Sequence, residues 1–388
     1  MAKKTVNVAL IGTKFMGKAH SNAFRQVTKF FDLPVEPVMK VLCGRNPVET
    51  KELAAKYGWE EASTDWKKVI ARNDIDVVDI SVPGNMHHPM AIAAAKAGKH
   101  IICEKPLAAN VKQAKEMLDA VTKAGVKNLC GFSYRFAPAI GTIKKMIANG
   151  DLGHIYHFRA AYQQDWIVDP EFPLNWRLQK KVAGCGALGD IGAHIIDMCQ
   201  NLIGPVEEVA ASMRTFIKKR PLTEGSATIA AAAGHKKSSK MGTVDVDDAT
   251  IILAHIKGQD TLATFEATRF APGRRNHNSI EVNGSKGSVL WNQEDMNIFQ
   301  YYNVNDPGTL QGFRRIHATD SGHPYTGAWW PSAHIIGYEH LFTHEVHDFI
   351  AQLNSKKVTY PTFADGLACQ KVLEAVEKAT KSRKWEKV

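Results

Sequence analysis

The chain has 388 residues, of which 44% are hydrophobic and 23% charged, and this ordinary balance excludes collagen-like, coiled-coil and disordered proteins. At roughly 100 to 200 residues per domain, the length predicts two or three packed cores. The formal net charge is +10, but Lys and Arg are scattered along the chain, which favours solubility over nucleic-acid binding.

Membrane insertion and disulfide stapling are not expected. No apolar run approaches the roughly 18 residues that cross a bilayer, and the first four residues lead straight into a predicted strand. The six cysteines form no C-x-x-C pair and are too sparse for a disulfide framework. We therefore expect a cytoplasmic protein with reduced cysteines.

Residues 5 to 131 alternate short β-branched runs with amphipathic helical patterns, which is typical of βαβ units around a parallel sheet. Strands are predicted at 6–11, 38–43, 77–81, 100–103 and 128–131, with helices between them. We expect residues 1–131 to form one α/β domain with a doubly wound parallel sheet.

Beyond residue 131 the pattern changes to longer runs of alternating polarity, at 155–164, 206–216, 249–257, 261–270, 279–284 and 297–302. These runs predict a large, open, mostly antiparallel sheet, and helices at 194–203, 334–353 and 364–381 are expected to cover one face of it. Residues 132–388 would then form an α+β domain. Residues 219–247, rich in Ser, Ala, Gly and Lys, are typical of a mobile insertion.

A phosphate-binding turn is predicted where the first strand runs into the first helix. Gly12 and Gly17 occupy the outer positions of a G-x-G-x-x-G pattern, whose glycines permit a tight turn and close helix packing. Lys14 occupies the middle position, where its side chain either points away or lies along the diphosphate. The strand–turn–helix context favours nucleotide binding over a generic turn.

The end of the second strand bears on the choice of dinucleotide. NAD sites usually carry an Asp or Glu there, whereas a nearby Arg accommodates the extra phosphate of NADP. Here the strand ends in Cys43-Gly44-Arg45-Asn46, with no acid. Arg45 therefore favours NADP, or stacks on the adenine with little preference, or is simply an exposed loop residue.

Three residues have the chemistry of a dehydrogenase site. Lys105 follows the fourth predicted strand, at the sheet edge where ligands bind, and a partly desolvated Lys can share a proton with a substrate hydroxyl. Asp190 and His194 are four residues apart and would face the same way on one helical turn. A carboxylate beside an imidazole can orient it as a base.

These motifs together resemble the Gfo/Idh/MocA oxidoreductases, NAD(P)-dependent dehydrogenases of sugars and cyclitols. The resemblance spans nearly the whole chain and is most specific at Glu104-Lys105-Pro106 and at Asp190-Ile191-Gly192-Ala193-His194. Within the family, the segments 164–166, 173–177 and 329–337 are similar to the levoglucosan dehydrogenase and glycoside 3-dehydrogenase branch.

The resemblance implies a Rossmann domain, a second domain with an open sheet, and an active site between them. It implies that His194 accepts the hydroxyl proton, that Lys105 hydrogen-bonds the same oxygen, and that Asp190 orients substrate and imidazole. The branch tends toward NAD, so we expect NAD, slightly preferred over NADP. The residues expected to bind the cofactor are Gly12, Lys14, Phe15, Met16, Gly44, Arg45, Ser81, Asn85, His87, Glu104 and Lys105.

Sugars are often held between aromatic faces and a few polar groups. The candidates of these types are Tyr134, Gln164, Trp166, Arg177 and His334. Three histidines at 340, 344 and 347 have metal-like spacing, but they share their helix with an apolar stripe, so no metal is expected.

We thus expect a dehydrogenase that converts a ring hydroxyl of a sugar, glycoside or cyclitol to a ketone. Two alternatives are a redox-neutral, NAD-dependent enzyme that cleaves glycosides and a non-catalytic nucleotide-binding protein. A broad sheet face predicts a homodimer or homotetramer.

Overall fold

The structure is a computed structural model that describes residues 4–223 and 237–388. The chain forms two compact units, of which the first comprises Met1–Ala137 and Thr319–Leu367 and the second Pro138–Ala318 and Ala368–Val388. The sequence predicted a single boundary after residue 131. The difference lies chiefly in residues 319–367, which return to the N-terminal unit.

The N-terminal unit is built on a parallel sheet. Its strands are β1 (Thr5–Ile11), β2 (Glu36–Cys43), β3 (Glu61–Ser63), β4 (Val77–Ile80), β5 (His100–Glu104) and β6 (Asn128–Gly131). Their order in the sheet is β3-β2-β1-β4-β5-β6, the doubly wound Rossmann order, with a switch point between β1 and β4. The predicted strands and the α/β class are confirmed, whereas β3 is too short and polar to have been predicted.

Helices lie between these strands. They are α1 (Phe15–Phe30), α2 (Pro47–Tyr57), α3 (Trp66–Ile70), α4 (His87–Lys96) and α5 (Val111–Ala124). Asn46 caps α2 by accepting hydrogen bonds from two backbone N–H groups, and Gly58 ends that helix in the left-handed conformation. The central strands are buried on both faces, as Val8 and Leu10 show, because helices cover both sides of the sheet.

The second unit contains a nine-stranded sheet within the described residues. Its strands are β7 (Ile155–Gln163), β8 (Val206–Arg214), β11 (Ala249–Ile256), β12 (Leu262–Thr268), β13 (His277–Gly284), β14 (Gly287–Asn292), β15 (Ile298–Asn303), β16 (Arg314–His317) and β17 (Glu386–Lys387). All neighbouring strands are antiparallel except β7 and β12. The predicted mostly antiparallel sheet is confirmed, whereas β14, β16 and β17 were not predicted.

Helices α6 (Pro138–Ala148), α7 (Lys180–Ala183) and α8 (Ala193–Leu202) belong to the second unit. The strands β9 (Lys219–Thr223) and β10 (Lys237–Thr243) form an antiparallel pair within part of the predicted insertion. The middle of that insertion, 224–236, lies outside the described residues. In the described part of the chain, one stretch, Lys180–Leu202, has the length and composition to span a membrane, and 72% of its apolar window is buried inside the structure.

Two long helices complete the fold, α9 (Tyr338–Ala351) and α10 (Phe363–Ser382). The sequence predicted that the helix at 334–353 covers the second sheet, and this was wrong. Phe342, Val346 and Phe349 of α9 belong to the same buried cluster as Val8 and Phe24 of the N-terminal unit. An amphipathic pattern predicts that one helix face is buried, but not against which sheet it packs.

Candidate active site

The glycine turn after β1 has the geometry that its sequence predicts. Gly12 has a φ of +129°, and a Cβ atom there would lie 2.1 Å from the Ser81 carbonyl oxygen. A Cβ on Gly17 would lie 2.1 Å from the Gly12 carbonyl oxygen. Both positions therefore require glycine. The backbone after β4 approaches Gly12 too closely for a side chain, and the backbone of Gly12 approaches Gly17 in the same way.

Lys14 fits the middle position because its backbone is in the extended region, with φ −89°. Its Nζ atom lies 2.5 Å from Oε1 of Glu49 on α2. The sequence left open whether the Lys14 side chain points away or lies along a diphosphate. In the structure it is paired with Glu49. Within the described residues, α1 has no side-chain cap and no acidic residue in its first turn, so its N–H groups suit an anion.

The other predicted cofactor residues all lie in the N-terminal unit. Phe15 and Met16 form the start of α1, Gly44 and Arg45 follow β2, and Arg45 is exposed. Ser81 follows β4, and Asn85 is exposed in a short 3₁₀ turn, Gly84–Met86. These positions share one edge of the sheet, because the carboxyl ends of parallel strands point the same way.

His87 has a different environment from that of an open ligand site. It is buried, with Nδ1 3.0 Å from the Pro106 carbonyl oxygen and Nε2 2.9 Å from the Val82 carbonyl oxygen. Burial lowers the pKa of His87 despite these two acceptors. Its ring therefore ties the loop after β4 to the segment after β5.

Lys105 lies directly after β5, beside a buried network of ionisable side chains. Two members of this network, His20 and Asp79, were missed by the sequence analysis. The Lys105 backbone N–H donates to Glu104 Oε2 at 3.2 Å, and the other oxygen of Glu104 contacts His20 at 3.0 Å. His20 also contacts Asp79 at 2.7 Å. The signal in the sequence was a single Asp in the apolar run Val77-Val78-Asp79-Ile80.

Asp190 and His194 belong to the second unit and lie on consecutive helical segments. The turn Leu188–Gly192 is π-helical, and α8 begins at Ala193, so the two residues do not share one α-helical turn as predicted. Asp247 holds the start of this π turn, because its carboxylate accepts the backbone N–H groups of Gly186 and Leu188, each at 2.7 Å. π turns often mark functional positions.

Arg269 is a second residue that the sequence analysis missed. Its guanidinium is buried, and Nη2 lies 3.0 Å from Asp190 Oδ2. It also lies over the Trp166 ring, 5.4 Å from the centroid. Arg177 stacks on Trp176 at 4.3 Å, and burial lowers its pKa despite the nearby Asp190 carboxylate. No pattern around position 269 distinguished this Arg from a solvent-exposed one.

The predicted substrate residues are divided between the two units. In the second unit, Gln164 accepts the Trp166 indole N–H at 2.9 Å and donates to Asn276 at 2.9 Å. Arg269 connects this group to Asp190 and to the Arg177 backbone, because it contacts the Trp166 ring, the Asp190 carboxylate and the Arg177 carbonyl oxygen. In the N-terminal unit, Tyr134 is buried with its ring 6.3 Å from that of Tyr338, and His334 is exposed.

The histidine-rich helix α9 contributes to a buried aromatic cluster. His344 accepts the Trp329 indole N–H at 2.7 Å, and its ring stacks on Tyr325 at 4.2 Å. Burial lowers its pKa to about 3. Among the described residues, no group of three or more His, Cys, Asp or Glu side chains is arranged to hold a metal ion.

Comparison with known proteins identifies two family models along this chain. The oxidoreductase family model with an NAD-binding Rossmann fold matches residues 6–132, and the GFO/IDH/MocA C-terminal domain matches residues 140–290. A levoglucosan dehydrogenase from Pseudarthrobacter phenanthrenivorans is 40% identical over 384 residues, with 98% of each chain covered.

Solved structures agree with this assignment. An oxidoreductase domain protein from Kribbella flavida is 46% identical with a TM-score of 0.92, and a levoglucosan dehydrogenase in complex with NADH and levoglucosan is 39% identical with a TM-score of 0.92. In each case 99% of both chains is covered. The predicted family is confirmed: the chain belongs to the Gfo/Idh/MocA family of oxidoreductases.

Proposed function

We propose that the protein is an NAD-dependent dehydrogenase that oxidises a ring secondary hydroxyl of a sugar, glycoside or cyclitol to a ketone. The observation that carries this proposal is the glycine turn after β1, at the switch point of the sheet, with Lys105 after β5 at the same edge. Ligands of open α/β sheets bind outside this point. The solved relative in complex with NADH and levoglucosan supports the substrate class.

The N-terminal unit fits a dinucleotide. A Cβ atom on Gly12 or Gly17 would clash with a backbone carbonyl oxygen at 2.1 Å, so the two glycines keep the turn tight, and the N-terminus of α1 favours an anion. Around it, the residues that would hold the cofactor are Gly12, Lys14, Phe15, Met16, Gly44, Arg45, Ser81, Asn85, Glu104 and Lys105, with His87 shaping the loop. When bound, the oxidised nicotinamide supplies the hydride acceptor.

Side chains of the protein would accept the proton of the substrate hydroxyl and orient the reacting groups. We assign His194 as the base that accepts the hydroxyl proton, and Lys105 as a hydrogen-bond partner of the same oxygen. Asp190 would orient the substrate and the imidazole. The ion pair between Arg269 and Asp190 supports this role, because it fixes the carboxylate in one orientation. Gln164, Trp166, Arg177, Tyr134 and His334 are the proposed substrate contacts.

A panel of sugars, glycosides and cyclitols tests the function. Purified protein with NAD should produce reduced nicotinamide absorbance with at least one ring alcohol, and the product should be a ketone by mass spectrometry. Net release of sugar from a glycoside without accumulation of NADH would instead indicate the redox-neutral enzyme. Absence of both, with the cofactor still bound, would leave a nucleotide-binding protein.

Arg45 provides the test of cofactor preference. If its guanidinium meets a 2′-phosphate, Arg45→Asp should weaken binding of NADP much more than binding of NAD. Fluorescence titration with NADH and NADPH measures both affinities, and Lys51→Asp on the neighbouring exposed helix face is the control for charge alone. Equal losses for the two cofactors would remove Arg45 from phosphate recognition.

We further propose that the protein is a homodimer or homotetramer that pairs through the open sheet. Ile251, Leu253 and Leu262 are exposed on one face of β11 and β12, and Trp385 stacks on His255 beside them. Exposed apolar rows of this kind usually meet a partner. Light scattering should report a dimer or larger, and Leu253→Glu should yield monomers, whereas Val48→Glu on exposed α2 should not. A monomeric parent protein would contradict the proposal.

A further inference from the structure

His20, in the second turn of α1, is bonded to two carboxylates from neighbouring strands. Its side chain is almost fully buried. Nδ1 lies 2.7 Å from Asp79 Oδ2 on β4, and Nε2 lies 3.0 Å from Glu104 Oε1 on β5. A neutral imidazole has one N–H, whereas the imidazolium has two. Carboxylates at both ring nitrogens therefore select the imidazolium.

The bridge continues at both ends to residues already assigned to the site. Ser81 Oγ donates to the second oxygen of Asp79 at 3.0 Å. The Lys105 backbone N–H donates to the second oxygen of Glu104 at 3.2 Å. A hydrogen-bonded chain thus connects the ends of β4 and β5, with its middle member on the helix that follows the glycine turn.

The groups around the bridge carry little additional charge. Burial lowers the pKa of His20, but the Asp79 and Glu104 carboxylates more than offset this and raise it well above its usual value. Burial keeps the other nearby titratable groups neutral, by raising the pKa of the acids and lowering that of the imidazole. These groups are Glu345, Tyr338, Cys103 and His87.

A histidine that serves only the core has different partners, as His344 in the same unit shows. Its Nδ1 contacts the Phe136 carbonyl oxygen at 2.9 Å, and its Nε2 accepts an indole N–H. No carboxylate among the described residues bonds it. A buried cation between two acids is costly to desolvate and contributes little net stability compared with apolar packing. The bridge at His20 therefore suggests a role beyond packing.

We propose that His20 is a positioning residue for Lys105, acting through Glu104. As an imidazolium it fixes the Glu104 carboxylate, which accepts the Lys105 backbone N–H, and it compensates the negative charge of that carboxylate one residue from Lys105. This inference rests on the proposed function only in assigning Lys105 a part in turnover. Without the imidazolium, two uncompensated carboxylates would stabilise the ammonium and hold its proton to higher pH.

The test uses His20→Gln in the full-length protein. We expect kcat at neutral pH to fall roughly 10-fold, with KM and NADH affinity little changed, because the substituted group positions Lys105 and does not touch the substrate. The high-pH end of the kcat profile, where an ammonium donor at Lys105 would be lost, should move upward. Glu104→Gln interrupts the same chain, so the double variant should lose no more kcat than either single one, but Glu104→Gln removes a negative charge next to Lys105 and should move the profile downward.

His344→Gln is the matched control. It also removes a buried imidazole with two hydrogen-bonded nitrogens from the N-terminal unit, so it should lose stability to a similar degree. Its kcat–pH profile should stay at the wild-type position. A His20→Gln profile that is unshifted, like that of His344→Gln, would reduce His20 to a structural residue.

Chemical labelling separates this inference from the proposed function. The rate at which an amine reagent acylates Lys105 at each pH, read by mass spectrometry, reports the ionisation of Lys105 without turnover. The reactive amine should appear at higher pH in His20→Gln, and an unchanged labelling curve would overturn the inference. A wild-type protein that oxidises no alcohol would instead overturn the proposed function. Should His20→Gln not fold, Glu104→Gln provides the test: it removes negative charge, so the reactive amine should appear at lower pH, and an unchanged labelling curve would overturn the inference.

Discussion

Lys105 and His194 come from different regions of the sequence and different kinds of element. Lys105 follows β5, a buried strand of the parallel sheet. His194 lies at the start of α8 after a π turn. Motif spacing identified both as candidates, but it pointed neither to His20, which contacts Glu104, nor to Arg269, which pairs with Asp190. Those groups act through tertiary contacts, which have no local pattern.

Replacement of Lys105 tests its role at the scale of one side chain. Lys105→Ala should lower kcat by roughly 10²-fold or more, because a positioned hydrogen-bond and proton partner is lost. Binding of NADH, measured by fluorescence titration, should be largely retained. Lys99→Ala, at the opposite end of β5, is the control for general damage to the structure. A Lys105→Ala enzyme with the wild-type rate would remove this residue from the mechanism.

Glu345 provides a second test at the residue scale. Its side chain is buried on α9, and neither carboxylate oxygen has a hydrogen-bond partner among the described residues. Burial raises its pKa well above 4.5, so the folded state binds this proton more tightly than the unfolded state. Stability from this group is therefore present below the unfolded pKa and is lost as pH rises through the folded pKa.

Glu345→Gln removes that dependence on pH. Relative to wild type, the variant should gain stability on going from about pH 5 to about pH 9, as measured by urea unfolding midpoints. Glu339→Gln, an exposed residue of the same helix, should show no such trend. If the difference between Glu345→Gln and wild type is independent of pH, Glu345 is not protonated in the folded state.

At the scale of elements, the sequence predicted most strands and helices within a few residues. Hydrophobic periodicity is local, so α8 and α10 were predicted at 194–203 and 364–381 and are observed at Ala193–Leu202 and Phe363–Ser382. The π turn at Leu188–Gly192 could not be predicted in this way. It depends on Asp247, which lies 55 or more residues later and accepts hydrogen bonds from the start of the turn.

Asp247 therefore provides a test of how the π turn is held. Asp247→Ala would leave the buried N–H groups of Gly186 and Leu188 without their acceptor, at a cost of about 1 to 3 kcal/mol in unfolding free energy. Activity should fall because Asp190 lies in this turn and His194 follows it. Asp245→Ala also removes an acceptor for a helix start, at Lys180, but is exposed and should retain activity. Equal activities in the two variants would contradict the argument.

At the scale of the whole molecule, the fold class and family followed from the sequence, but the pairing of segments did not. Residues 319–367 pack with the N-terminal unit although more than 180 residues separate them from its first part. Nothing in the pattern of α9 distinguishes the two possible sheets, because both present apolar surfaces. The contacts of Phe342, Val346 and Phe349 with the core of the N-terminal unit show which sheet α9 covers.

Phe349→Ala tests that packing. Truncating a fully buried Phe should cost about 3 to 5 kcal/mol in unfolding free energy. The loss should fall on the N-terminal unit, so hydrogen exchange should accelerate in β1 and α1 and remain unchanged in β11 and β12. Val48→Ala, at an exposed position of the same unit, should leave exchange unaltered. Faster exchange confined to the second sheet would contradict the assignment of α9.

The late return of residues 319–367 has a consequence for synthesis. When the ribosome has released the first 137 residues, the nucleotide-binding sheet is complete but lacks the helix that belongs to its core. The apolar surface that α9 covers must therefore stay exposed on the nascent chain while nearly half of the sequence is translated. Stalled chains ending before residue 319 should remain open to protease near α1, and chains that extend past residue 367 should not.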